Sequence, residues 1–161
     1  MRFRRARIFN QDLVFAPAEK AWDILTDWHN THRLRTEESG SGPLSVDRVE
    51  LEGEPDKVPR TRVFYFSDEN MPVVRETLFL QDDEAMHFYY NIEGTGPAGL
   101  RNYLATTDVD PLGDNLCQVT ITARFDLSED LNMLAAKQII NTAHLGVIKG
   151  LKHNLESAGD G

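Results

Sequence analysis

Apolar residues in the last long stretch of the chain recur at helical spacing. Met133, Ala136, Ile140, Ala143, Val147 and Leu151 fall on one stripe, and Gln138, Thr142, Lys149 and Glu156 fall opposite. The stretch contains no proline, so the pattern predicts one helix from Ser128 to Glu156. Glu129 and Asp130 would sit in its first turn, with Lys149, Lys152 and His153 near its end, the order the helix dipole favours. At ~1.5 Å per residue such a rod is roughly 40 Å long, enough to cross a small sheet.

The rest of the chain is mostly β in pattern. Residues 3–15 predict a first strand with apolar residues on both faces. Phe9, Leu13 and Phe15 share one parity and Ala6, Ile8 and Val14 the other, so alternation does not decide which face is inside. Ala16-Pro17 opens a short helix whose stripe is Ala21, Trp22, Leu25 and Trp28, and a second short helix is expected from His29 to Arg35. Residues 37–43 read as a loop. The period then changes to two. Strands are expected at 44–52, 61–66, 73–81, 86–92, 100–109 and 116–125, joined by short turns and therefore paired antiparallel. The parity shift between Val46 and Val49 suggests a bulge. Val74, Glu76, Leu78 and Leu80 share one face of their strand; Met86, Phe88, Tyr90 and Ile92 share another. Tyr103, Ala105, Thr107 and Val109 follow, then Cys117, Val119, Ile121, Ala123 and Phe125. The predicted class is α+β. A seven-stranded curved antiparallel sheet wraps a long C-terminal helix, with two short helices between strands one and two, as a single domain over 1–161.

Charge and composition narrow the function. A net charge of −9 argues against nucleic-acid binding, which needs a basic face, and against docking on anionic lipid. Cys117 is the single cysteine, which excludes an internal disulfide and a cysteine-based zinc site. The basic opening Met-Arg-Phe-Arg-Arg-Ala-Arg is followed by Asn10, Gln11 and Asp12 where a signal peptide needs an apolar core, and no stretch is long and apolar enough to span a membrane. A soluble cytoplasmic protein without integral membrane contact is the expectation. A homodimer is compatible with the sequence, and no cofactor fingerprint is present.

Four pieces in order carry a family resemblance. They are Ala-Pro-Ala-Glu-Lys-Ala-Trp-Asp-Ile-Leu-Thr-Asp-Trp at 16–28, Val-Val-Arg-Glu-Thr-Leu at 73–78, Leu-Arg-Asn-Tyr-Leu-Ala-Thr-Thr at 100–107, and a final helix ending Gly-Leu-Lys-His-Asn-Leu. Together the chain resembles the START-related, helix-grip superfamily. That group includes birch-pollen allergens, bacterial polyketide cyclase/dehydrase-like and lipid-transport proteins, and plant abscisic-acid receptors. The resemblance implies a cavity between sheet and C-terminal helix that takes a small hydrophobic ligand such as a lipid, polyketide or isoprenoid. In the hormone receptors a glutamate and a tyrosine line that cavity; they match Glu76 and Tyr103. The receptors' glycine-leucine-proline gate is absent. Ser67-Asp68-Glu69-Asn70-Met71-Pro72 stands there, and no lysine matches the one that meets the hormone carboxylate, so the hormone latch does not carry over.

Glu76 is the anomaly, a carboxylate on an apolar strand face. It is either an ion-paired core residue or the polar anchor of a greasy pocket. Tyr90 and Tyr103 share inward parity and each brings a hydroxyl that needs a partner; packing with a bound water is the plainer reading of either alone. His144 lies at the border of the helix stripe. It is a weak acid–base candidate with Glu76, against the commoner reading of a satisfied boundary histidine. With Phe88, Ile121, Ile140, Ala143 and Val147, these residues are the expected ligand-binding set. Trp22 is expected in the core; Trp28 and His29 are candidates for the pocket mouth, which spacing alone does not establish. His29 and His32, with Asp27, Glu37 and Glu38 nearby, lack a full metal-ligand set and read as a solvated helix end, so no metal is expected. Three functions follow: a hydrophobic-ligand carrier or sensor, a polyketide cyclase/aromatase-type enzyme in the same cavity, or a partner-binding module with loops 67–72 and 94–99 as a rim.

Overall fold

A computed structural model describes residues 2–34 and 45–156. The elements run β1 (Phe3–Val14), α1 (Ala18–Thr26), a 3-10 turn (Thr31–Leu34), β2 (Val46–Glu52), β3 (Arg60–Phe66), β4 (Val74–Asp82), β5 (His87–Ile92), a second 3-10 turn (Pro97–Gly99), β6 (Arg101–Gly113), β7 (Leu116–Ser128) and α2 (Met133–Glu156). The seven strands form one antiparallel sheet in the order β1-β7-β6-β5-β4-β3-β2. It is the helix-grip α+β fold. The β2–β7 meander places sequence neighbours side by side, and β1 joins it by pairing with β7 from Phe3↔Ser128 to Val14↔Cys117.

One apolar core binds the sheet to α2. Ala136, Ile140, Ile148 and Leu151 of the helix bury with Val74, Phe88, Tyr90, Ile92, Tyr103 and Phe125 of the strands. The ambiguity of β1 is resolved by this packing. Ala6, Ile8 and Val14 point inward, while Phe9 and Phe15 are 64% and 63% exposed. The bulge expected in β2 is present, as a register shift between Val46 and Arg48.

Other expectations need correction. α2 starts at Met133, not Ser128. β7 continues to Ser128 because β1 supplies a pairing partner that far, and Asn132 then caps the helix, its side-chain oxygen accepting from Ala135 N–H at 3.0 Å. Glu129 and Asp130 therefore lie in the connecting turn. A register irregularity between Leu78 and Leu80 turns Leu80 outward to 40% exposure, so it leaves the face it shares by simple alternation with Glu76. β6 and β7 run longer than predicted and shrink their turn to Asp114-Asn115, with Pro111 held at another irregularity. The second short helix is only the four-residue 3-10 turn.

The helix approaches that turn very closely. A Cβ built on Gly150 would lie 1.9 Å from the Leu34 carbonyl oxygen, so only glycine permits this seat.

Candidate functional site

The site begins with a cross-strand pair. β3 and β4 align Arg62 directly opposite Glu76, and both side chains point inward. Arg62 Nε and Nη2 lie 2.7 and 2.6 Å from the same oxygen, Glu76 Oε2. The guanidinium lies 3.5 Å from the centroid of the Trp28 ring, and its Nη1 reaches the Trp28 carbonyl at 3.4 Å. The two charges sit among apolar side chains because they neutralise each other and Trp28 covers the cation. Glu76 Oε1 receives no hydrogen bond among the described residues.

A second polar chain crosses from sheet to helix. Tyr103 of β6 and His144 of α2 meet at 2.7 Å between the hydroxyl and Nε2. The Tyr103 hydroxyl also lies 3.3 Å from that of Tyr90 on β5. Burial, with Tyr90 and the negative Glu76 nearby, pushes the Tyr103 phenol well above its ordinary pKa. It therefore stays neutral and keeps a proton to donate. His144 is fully in the buried face of α2 and not at its border, because the packed face is centred on 136, 140, 144, 148 and 151.

These groups share one cavity of about 50 Å3 between sheet and α2. Seven of the nine side chains expected at a pocket line it: Glu76, Tyr90, Tyr103, Ile140, Ala143, His144 and Val147. Phe88 and Ile121 do not; both are buried in the surrounding core, where Phe88 packs on Trp22 and Trp28. Phe64, Phe66, Val74, Ile92 and Pro97 complete the apolar wall. Arg62 also lines the cavity and went unrecognised in the sequence. Its signal was its shared parity with Phe64 and Phe66 in a strand facing Glu76.

Two larger depressions, of about 500 and 450 Å3, lie beside Phe79 and Leu104 and beside Phe9 and Tyr89. They are open hollows largely lined by the outward side chains of the sheet. Of these three hollows among the described residues, the enclosed cavity is the candidate site despite its size, because it gathers desolvated polar groups inside apolar walls.

The remaining candidates fall elsewhere. Trp28 is not at a pocket mouth but buried, edge-on to Phe88 and Tyr90. Trp22 is core, and its indole N–H donates to Asp83 at 3.0 Å, so that aspartate of the acidic turn has a structural partner. Among the described residues no cluster of three or more His, Cys, Asp or Glu could hold a metal. Glu37, Glu38 and the side chain of His32 lie outside the described residues. No helix among the described residues is long and apolar enough to cross a membrane.

Residues 8–157 match the family described as polyketide cyclase / dehydrase and lipid transport. The chain belongs to that family. Every residue of the cavity wall falls within the matched span. Solved structures agree on the fold of this family member. A solution NMR structure from Thermobifida fusca is 24% identical, with a TM-score of 0.68 over 91% of this chain and 90% of that one. The protein XoxI from Bacillus cereus aligns with a TM-score of 0.76 at 16% identity, covering 96% and 98%. Norcoclaurine synthase from Thalictrum flavum, solved with dopamine and hydroxybenzaldehyde, aligns with a TM-score of 0.73 at 17% identity, covering 94% and 86%. At these identities the likeness is one of fold. No curated protein matches the sequence.

Proposed function

We propose that this family member binds a small, mainly apolar molecule in the cavity between the sheet and α2. The observation supporting this best is the convergence of Arg62–Glu76 and the Tyr90–Tyr103–His144 chain on a single, otherwise apolar hollow. Apolar burial supplies affinity at roughly 25 cal/mol per Å2, and the polar wall sets orientation.

The volume constrains how binding occurs. About 50 Å3 suffices for a few waters at about 10–15 Å3 each, well below the roughly 300–1,000 Å3 of pockets that enclose a drug-sized ligand. A larger guest must push rim side chains apart. Phe66 and Val147 are partly exposed and line the cavity beside Pro97, so they form the natural entrance.

An acid–base enzyme of the cyclase type is the second reading, and the 2.7 Å Tyr103–His144 contact favours it. In that reading Tyr103 gives its proton to a carbonyl oxygen and His144, carrying a proton on Nε2 at 2.7 Å, returns one to the phenol oxygen.

The test is native mass spectrometry of the purified protein, followed by titration of any co-purified compound into wild type and Ala143→Phe. The larger ring fills the cavity from the helix side. Binding that is saturable in wild type and lost in a folded Ala143→Phe variant supports the site. Equal binding by both places the guest elsewhere. A recovered compound that is chemically changed by wild type but not by Tyr103→Phe decides for the enzyme.

A further inference from the structure

The proposed cavity carries internal charges that already cancel. Both Arg62 contacts converge on Glu76 Oε2, and the face of the guanidinium is occupied by Trp28. The cation is thus spent on a fixed partner. Glu76 is 8% exposed and lines the cavity, yet Oε1 receives no hydrogen bond among the described residues and is not among the fully enclosed unpartnered atoms. It is an acceptor that asks for a donor. Near it, Tyr103 and Tyr90 supply hydroxyls and His144 a ring nitrogen. The rest of the wall is hydrocarbon and aromatic.

We infer that, granted the binding role above, the guest is a neutral molecule bearing a hydroxyl or amide N–H donor for Glu76 Oε1, and that carboxylates are excluded. A carboxylate head would bring a second negative charge against Glu76 in a desolvated site and would find its counter-cation already paired. A neutral alcohol or amide supplies the missing proton and leaves the Arg62–Glu76 pair intact. The selection is therefore against like charge as well as for a matching donor.

The probes are octan-1-ol, octanamide, N,N-dimethyloctanamide and octanoate at pH 8, titrated calorimetrically into the full chain. They share one tail and differ at the head. The alcohol and amide should bind at least tenfold tighter than octanoate, with N,N-dimethyloctanamide, which accepts but does not donate, weaker than both. Glu76→Gln should cut that preference severalfold, since it removes the negative charge, adds an N–H donor and releases Arg62 from its ion pair. Octanoate equal to or tighter than the alcohol in wild type overturns the inference but leaves the cavity a binding site. Alcohol, primary amide and dimethylamide binding alike overturns the donor requirement and with it the role of Oε1. Failure of all four to bind, with no competition against a co-purified guest, overturns the binding role itself. The wild-type comparison stands even where Glu76→Gln does not fold.

Discussion

Tyr103 holds a phenol in the interior, hydrogen-bonded at 2.7 Å to His144. Its folded-state pKa lies well above the ordinary value of 10.0, with burial as the largest cause. The consequence for stability has a definite sign. Below pH 10 the phenol is protonated in both folded and unfolded chains and the contribution is intact. Above pH 10 the unfolded chain releases the proton while the folded one retains it, so stability falls as pH rises. Urea unfolding of wild type and Tyr103→Phe between pH 8 and pH 11 should show a steeper alkaline decline for wild type. Parallel declines would remove Tyr103 from the alkaline limb. At this scale the sequence exposed the odd residues but not their pairing. Glu76 stood out because a charge interrupts an apolar face. Arg62 hid in a strand rich in β formers, and only the register of β3 on β4 shows that it answers Glu76. Trp28 is buried, as its place on the apolar stripe indicates, but a stripe does not show what covers a residue; here Phe88, Tyr90 and the Arg62 guanidinium do.

The elements were legible where alternation was unbroken, and misread where one residue changed the register. Leu80 follows the parity of Glu76 and Leu78, but the irregularity after Leu78 sends it outward. The start of α2 was obscured because acidic Glu129 and Asp130 imitate a first helical turn, whereas Asn132 supplies the actual cap. Gly146 and Gly150 lie on the buried side of this helix, and spacing rules that weigh apolar side chains pass over them. Gly150→Ala tests the most demanding contact. In an exposed helix interior, glycine to alanine gains about 1 kcal/mol. Here the new methyl meets the backbone of Leu34, and overpacking should instead cost about 1–3 kcal/mol, read as a lower urea midpoint. A stabilised variant would show that helix and turn separate more easily than their packing indicates.

At the scale of the molecule, the ties on α2 are unequally distributed. Its later half is fastened by the Gly150 seat on Leu34, by Lys152 to Asp12 at 3.1 Å and by Glu156 to the Phe15 N–H at 3.0 Å, and its middle is tied by Asn10, whose side-chain N–H donates to Asn141 at 3.0 Å. The first two turns rest on apolar packing and the Asn132 cap. Hydrogen exchange should therefore be faster for amides at 137–140 than at 145–153, and a bound guest should slow the first group more than the second. Uniform exchange along the helix would contradict this. The expected response of a rod held at its tail is a pivot beside Leu34. Under the proposed binding role, room would then open as a wedge toward the head of the rod, and the measured exchange of the first two turns reads how far it opens.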